Sequence, residues 1–208
     1  MKTKAILPVA LVAAALTLPA QVPYERIRRA EAEPGAWLTY SGTYNGHRYS
    51  ALKQITTANV KGLKPVWLYQ TSNLNKFETS PLVVDGIMYI SDPPGNVSAL
   101  DVRTGRPLWT YRRNLPGDIR PCCGQMNRGL AMLDDSLFLG TLDAHLIALD
   151  SRNGRLRWDV VVADYTGSKG QGDHRSCRRR IRRSRVDRRL RSEDGPTSVA
   201  LLDRARPG

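Results

Sequence analysis

The sequence has no apolar run long enough to form a membrane-spanning helix. Its most extended apolar stretch, Ala5 to Leu18, falls short of the roughly 20 residues that such a helix needs. A basic start at Lys2 and Lys4 and the small residue that ends Leu18-Pro19-Ala20 make this stretch typical of a secretory signal. We therefore expect residues 1–20 to be a signal peptide, the rest of the chain to be exported, and no stable membrane span. An uncleaved membrane anchor is the alternative.

Lysine and aromatic residues are absent from the end of the chain, although this end is strongly basic. Gln171 to Gly208 contains 12 arginines and 5 acidic residues, so it supplies +7 of the net charge of +13. A basic chain is compatible with binding to nucleic acid or to an anionic surface, but proteins that hold single strands add aromatic side chains for stacking. We therefore expect no nucleic-acid partner and treat residues 168–208 as a separate, disordered tail, with a basic binding module as the alternative.

Cysteine is scarce, and two of the 3 cysteines are adjacent: Cys122 and Cys123, with Cys177 in the basic tail. A bond between neighbouring cysteines closes almost no chain and so adds little loop-closure stabilisation. The distorted peptide that it creates is the kind of strain that collects at functional sites. A flat disulfide could press on a planar ligand; two reduced or separately paired cysteines are the alternative.

A repeat with a period of 49 residues occupies the middle of the chain. Several residues recur as identical residues one period later, among them Ala99, Leu100, Asp101, Gly105 and Trp109, which match Ala148, Leu149, Asp150, Gly154 and Trp158. Short apolar runs rich in β-branched residues predict strands. Thr104-Gly105 and Asn153-Gly154 predict hairpin turns, because glycine accepts a positive φ, and the preceding aspartates can cap them.

A unit of four antiparallel strands with this length is typical of a propeller blade. One blade cannot bury both of its faces, so blades need neighbours. We therefore predict an all-β fold, a partial β-propeller, with the blades in residues 70–167. Residues 21–69 form a lead-in that ends in a strand at Pro65–Tyr69. For His47 and His145 we expect surface or packing roles.

The segment from Cys122 to Gly129 pairs the two cysteines with Asn127-Arg128-Gly129. This pattern resembles quinoprotein alcohol dehydrogenases of the methanol and ethanol group, which use pyrroloquinoline quinone (PQQ). The lead-in from Trp37 to Trp67, the segment Phe77–Val83 and the blade motif from Ala99 to Trp109 resemble the same family in the same order. The resemblance extends from about Trp37 to Thr166.

The resemblance implies a set of cofactor-binding residues. Cys122 and Cys123 would form a vicinal disulfide that stacks on one face of PQQ. Arg128 would bind quinone oxygens, which suits its planar fork of donors, and Glu78 would contact the cofactor edge. Taken alone, Arg128 could be a solvated surface charge and Glu78 an ordinary strand-end carboxylate.

The resemblance also implies that the intact protein is a periplasmic enzyme with an eight-bladed ring. This chain would supply about two of those blades. Such enzymes oxidise an alcohol, use calcium or a lanthanide beside PQQ, and pass electrons to cytochrome c. Their catalytic base and metal ligands belong to later parts of the family pattern, so we expect no catalytic residue, no metal ligand and no activity from this chain alone. A non-enzymatic exported propeller scaffold or assembly protein is the alternative, but it has no need of the cysteine pair with Arg128.

The family pattern stops near Gly167, where the Arg-rich tail begins. Arginine-rich runs without lysine arise when GC-rich DNA is read in the wrong frame. One permitted codon choice from Arg178 onward, displaced by one base, encodes a further blade signature. We therefore hypothesise that residues 168–208 are out of frame and that this chain is an N-terminal fragment.

Overall fold

The computed structural model describes residues 22–73, 76–119, 121 and 124–166. These residues exclude the predicted signal (1–20), the whole predicted tail (168–208), Cys122 and Cys123. Helical structure in the described part is limited to α1 (Tyr24–Arg28) and two 3-10 turns (Ala30–Ala32 and Val60–Gly62). Eight strands follow in chain order: β1 (Leu82–Val84), β2 (Ile87–Asp92), β3 (Asn96–Asp101), β4 (Pro107–Tyr111), β5 (Ala131–Leu133), β6 (Ser136–Gly140), β7 (His145–Asp150) and β8 (Leu156–Val161).

The strands form two antiparallel four-stranded sheets, β1-β2-β3-β4 and β5-β6-β7-β8. We call them blade 1 and blade 2. The 49-residue repeat holds at the level of strand register: Ala99 pairs with Trp109, and Ala148 with Trp158. Both sheets also shift register at the next residue. The predicted all-β architecture with two propeller blades is confirmed.

The predicted hairpin turns between the third and fourth strands are present in both blades. The Asp101 carboxylate accepts hydrogen bonds from the backbone N–H groups of Arg103 and Thr104, at 3.0 and 2.9 Å. Asp150 accepts the equivalent bond from Arg152 at 2.9 Å. Capping by these aspartates is therefore confirmed, and it fixes the geometry of the turn that the neighbouring unit contacts.

A tryptophan joins each unit to the next. Trp109 of blade 1 lies on Gly154 of blade 2, and its indole N–H donates to the carbonyl of Ser151 at 3.1 Å. Trp67 makes the same contact one unit earlier: it lies on Gly105 and donates to the carbonyl of Val102 at 2.9 Å. A Cβ at either glycine would come within 3.0 Å of the indole, so only glycine leaves room for the ring.

The predicted strand at Pro65–Tyr69 is not formed in the described structure. These residues match Pro107–Tyr111 of β4 in their Pro, Trp and Tyr positions, and Tyr69 reaches the Ser98 hydroxyl at 3.2 Å. However, no described strand pairs with them. A strand is defined by its ladder of hydrogen bonds to a neighbour, and that neighbour is missing here.

The core lies between the inner strands of both blades and the start of the lead-in. Val22, Ile27 and Leu38 of the lead-in are buried together with strand residues from blades 1 and 2. Val22 also forms a bridge with Asp134, and Trp37 forms one with Val83. Residues 22–38 thus cover the inner edge of the two sheets. The sequence pattern did not predict helix α1.

The antiparallel order places several segments at one end of the blades. Leu82 pairs with Tyr89, and Asp92 with Asn96, so the entry to β1 and the β2–β3 turn lie at the same end. The exit of β4 joins them, because Tyr111 pairs with Val97. The equivalent segments of blade 2 are the entry to β5 and the β6–β7 turn. We call this the entry end of the blades.

Candidate functional site

Glu78 and Arg128 meet at the entry end, just before the first strand of each blade. Their backbones run side by side, since Ser80 forms a parallel bridge with Gly129 and its N–H donates to the Arg128 carbonyl at 2.9 Å. The side chains then lie within reach of each other: Arg128 Nε is 3.4 Å from Glu78 Oε2. The structure thus brings together two residues that are 50 positions apart in the chain.

This pair is open to a ligand. The side chain of Arg128 is 69% exposed and that of Glu78 is 41% exposed. Within the described residues, Nη1 and Nη2 of Arg128 make no hydrogen bond. An exposed ion pair of this kind contributes little to stability, so the structure offers a set of free guanidinium donors held beside a carboxylate. Such donors suit carboxylate or carbonyl oxygens.

Asn127 fixes the backbone from which Arg128 projects. Its carbonyl oxygen accepts hydrogen bonds from the Ser91 hydroxyl at 2.8 Å and from the Gly129 N–H at 3.0 Å. Its amide group donates to the Gly140 carbonyl at 2.9 Å. Asn127 therefore binds both blades at once. The motif around Arg128 contains this residue, but its role depends on strands distant in the sequence, so sequence reasoning did not assign it.

The two cysteines lie outside the described residues. Gly124 follows them, and its N–H donates to the Pro121 carbonyl at 3.4 Å. The vicinal disulfide therefore remains a prediction from the family resemblance.

A charged cluster between the blades was not foreseen. The guanidinium of Arg113, just after β4, donates to Asp143 at 2.5 Å and to Asp159 at 2.6 Å. The side chains of Arg113 and Asp143 are 9% and 6% exposed. His145 Nδ1 lies 2.5 Å from the second oxygen of Asp159. His145, for which the sequence indicated no partner, therefore has one in blade 2 itself.

The carboxylates of this cluster are stabilised in their charged form. Burial by itself raises the pKa of Asp143, but hydrogen bonds from Thr141 and Arg113 outweigh it and leave the pKa below its ordinary value. For Asp159, hydrogen bonds from Arg113 and His145 outweigh burial in the same direction. The 49-residue repeat gives no signal for the cluster, because it places Val162, Pro94 and Thr110 opposite Arg113, Asp143 and Asp159.

Other candidate sites are weaker. A cavity of about 310 Å³ is lined by the lead-in, including Trp37 and His47, but not by Glu78 or Arg128. Within residues 22–73, 76–119, 121 and 124–166, no group of three His, Cys, Asp or Glu side chains could hold a metal ion. No helix in the same part of the chain has the length and apolar character needed to cross a membrane.

The chain matches a known family over most of its length. The family model described as "PQQ: Glucose/ethanol/alcohol dehydrogenase, beta-propeller domain" matches residues 37–191. The dehydrogenase subunit of alcohol dehydrogenase (quinone) from Gluconacetobacter polyoxogenes is 41% identical over 138 residues, which are 65% of this chain and 19% of the relative. The 1-butanol dehydrogenase (cytochrome c) of Thauera butanivorans is 42% identical over 130 residues, 62% of this chain and 19% of the relative.

Solved structures agree with these sequence matches. A europium-containing methanol dehydrogenase superposes with a TM-score of 0.64 at 36% identity, over 67% of this chain and 25% of that protein. The chain thus spans about a fifth of the curated relatives' length. The family match covers both blades and the segments that carry Glu78 and Arg128. The chain therefore belongs to the β-propeller family of PQQ-dependent glucose, ethanol and alcohol dehydrogenases.

Proposed function

We propose that the entry end of blades 1 and 2 forms one wall of a PQQ pocket in a quinoprotein alcohol dehydrogenase. The observation that carries this proposal is the contact between Glu78 and Arg128. The two side chains meet although they belong to different blades, and the terminal donors of Arg128 make no hydrogen bond to the described residues. These donors are therefore available to the oxygens of an anionic ligand.

The residues of this wall fit the chemistry of PQQ, which carries several carboxylates beside its quinone oxygens. Arg128 would donate to these oxygens through its free Nη groups. Glu78 would hold the guanidinium through Nε and so orient its open face. Cys122 and Cys123 would form a vicinal disulfide that supports one face of the ring. When bound, PQQ accepts the two electrons that leave the alcohol.

The remaining features of the proposed function follow the family. We propose that residues 1–20 direct export to the periplasm, that the intact enzyme uses calcium or a lanthanide, and that its electrons pass to cytochrome c. Two relatives support the last two points, since one contains europium and another is named for cytochrome c. Mass-spectrometric detection of a mature N-terminus other than one close to Gln21 would contradict the signal.

We also propose that residues 168–208 are read out of frame. This proposal rests on composition alone, because residues 171–208 contain 12 arginines and no lysine. The family-model match, by contrast, continues to residue 191. The nucleotide sequence tests it directly. The natural codons from Arg178 onward, read one base over, are expected to encode a blade signature, and their failure to do so would refute the idea.

Titration of the isotope-labelled 208-residue chain with PQQ tests the proposed site. One charge-assisted contact contributes roughly 1.5–3 kcal/mol, so Arg128→Gln is expected to weaken PQQ binding by about 10- to 100-fold. Arg103→Gln is the matched control, because Arg103 is an exposed arginine on a hairpin turn away from the entry end. PQQ-induced shifts at Arg128 and Gly129 support the site.

Two results would contradict the proposal. One is equal PQQ affinity for Arg128→Gln and the wild-type chain; the other is the absence of any PQQ-induced shift at about millimolar concentration. Catalysis is a separate readout. With PQQ and Ca²⁺ added, the purified 208-residue chain is expected to show no alcohol-dependent dye reduction, because it supplies one wall of the pocket and not the base.

A further inference from the structure

We propose that Arg113 is a positioning residue that fixes the β6–β7 turn of blade 2 and, through it, the placement of Arg128. The consequence for PQQ rests on the function proposed above; the positioning itself does not. The loop concerned runs from residue 113 to residue 129 and contains the cysteine pair together with Arg128.

Arg113 holds the start of this loop to both blades. Its backbone N–H donates to the side-chain oxygen of Asn96 in blade 1 at 3.1 Å. Its guanidinium bridges Asp143 and Asp159 of blade 2. Asp143 belongs to the β6–β7 turn, where it also accepts a hydrogen bond from Thr141. One side chain therefore fastens the turn of blade 2 to the exit of blade 1.

Asn127 holds the other end of the loop to the same two blades. Its amide donates to the carbonyl of Gly140, at the start of the β6–β7 turn, and its oxygen accepts from Ser91 of blade 1. Both ends of the loop thus depend on one turn. A change in that turn would alter the anchor of Asn127 and so the direction in which the adjacent Arg128 projects.

The chemistry of the bridge suits arginine in particular. A planar guanidinium can donate to two carboxylates at once in a fixed geometry, whereas a lysine ammonium acts as a compact point charge. A buried ion pair is weak evidence for stability in general, because desolvation offsets the attraction. Here the bridge fixes the relative position of segments from different blades, because Arg113 follows blade 1 while Asp143 and Asp159 belong to blade 2.

Amide hydrogen exchange of the full 208-residue chain, followed by NMR, tests the inference without PQQ. The reporters are the amides of Gly129 and Ser80, which donate to Asn127 Oδ1 and to the Arg128 carbonyl. Arg113→Gln is expected to speed their exchange by about tenfold while the amides of β3 and β7 keep their protection. Arg113→Lys is expected to speed the exchange of these two amides less than Arg113→Gln does, because it keeps the positive charge.

Arg112→Gln is the matched control, because Arg112 is the adjacent arginine and its side chain makes one hydrogen bond among the described residues, a long one of 3.5 Å to Ser72, besides a charge interaction with Asp92. Arg113→Gln leaves two carboxylates without their cation, so Arg113→Gln/Asp143→Asn provides a second variant with less buried charge. PQQ titration of the same variants gives an independent readout, with an expected loss of about threefold or more in affinity for Arg113→Gln alone.

The outcomes separate this inference from the proposed function. If Arg113→Gln speeds exchange at Gly129 and Ser80 but the wild-type chain binds no PQQ, positioning by Arg113 is supported and the proposed PQQ site is refuted. PQQ binding by the wild type, with Arg113→Gln behaving like Arg112→Gln in exchange and affinity, overturns positioning alone. Positioning would also be overturned if the amides of Gly129 and Ser80 exchanged without protection in the wild-type chain. The same holds if Arg113→Gln and Arg113→Gln/Asp143→Asn both lost protection throughout the strands.

Discussion

At the scale of single residues, the glycine of the hairpin turn has two separate reasons to be glycine. Gly154 adopts φ +70° and also lies directly under the Trp109 ring. Gly86 adopts a similar φ of +80° but faces open space. The comparison therefore separates backbone conformation from the close approach of the indole.

Substitution of these two glycines by alanine is expected to have unequal costs. The left-handed backbone costs roughly 1–2 kcal/mol for an L-residue, which applies to both Gly86→Ala and Gly154→Ala. Gly154→Ala adds an overpacking cost of about 1–3 kcal/mol. Urea unfolding of the two variants measures the difference, and equal losses would show that the indole does not restrict this position.

The tryptophans of the repeat also differ in what they contact. Both rings pack on an aromatic neighbour, Trp109 on Tyr89 at 6.0 Å and Trp158 on Phe138 at 5.8 Å between centroids. Of the two, only Trp109 donates a hydrogen bond from its indole N–H to a described residue, at the Ser151 carbonyl. Trp158 occupies the equivalent position in blade 2 but is 38% exposed. Identical residues at equivalent repeat positions therefore contribute differently, because only the first has a following blade among the described residues.

Trp109→Phe is expected to destabilise the chain by about 1–2 kcal/mol, since it removes one hydrogen bond and part of the buried ring. Trp158→Phe, an identical change at an exposed position, is expected to stay within about 0.5 kcal/mol. Chemical denaturation of both variants provides the measurement. A larger effect at Trp158 would mean that its face is covered in solution.

At the scale of elements, blades 1 and 2 meet through the charged cluster as well as through Trp109. Asp143 and Asp159 have pKa values below their ordinary range in the folded chain. Groups of this kind contribute stability above their unfolded pKa of about 3.9, and this contribution is lost as the pH falls through the lower folded values. The contact between the blades is therefore expected to weaken in acid.

A variant isolates this contribution from the other carboxylates. Asp159→Asn keeps the size of the side chain but removes its charge. The free energy of unfolding of this variant is therefore expected to be lower than that of the wild-type chain above about pH 5. The difference between the two free energies is expected to shrink as the pH falls below about 4. Urea unfolding at a series of pH values tests this, and a gap that widens in acid would exclude the ion pairs as its cause.

At the scale of the whole molecule, the last described sheet has an edge strand without a described neighbour. The outer strand β8 pairs only with β7 in the part of the chain described, and Leu156, Val160 and Val161 are exposed. Unpaired apolar edges of this kind favour association with other chains. We therefore expect the chain to self-associate as its concentration rises.

Val160→Lys is expected to reduce this association, because a charge on an edge strand opposes pairing. Val60→Lys is a close control, since the two valines are 43% and 45% exposed and Val60 lies in a 3-10 turn outside the sheets. Sedimentation analysis over a concentration series measures both variants. Equal reduction by the two changes would assign association to general surface hydrophobicity.

The sequence by itself determined the repeated unit. Local signals were sufficient for this purpose: apolar runs predict strands, and an aspartate followed by a glycine turn predicts the hairpin after β3 and β7. It also singled out Glu78 and Arg128 through their family motifs. Register and turn geometry depend on residues close in the chain, which is why the two four-stranded sheets could be predicted.

Only the tertiary structure decided which distant residues meet. The contact of Glu78 with Arg128, the double anchorage of Asn127 and the bridge from Arg113 to Asp143 and Asp159 all cross from one blade to the other. Such contacts depend on how two sheets pack, and no local pattern encodes them. The same reason explains why Pro65–Tyr69, whose sequence resembles β4, is not a strand: a strand needs a partner, and packing decides whether one is present.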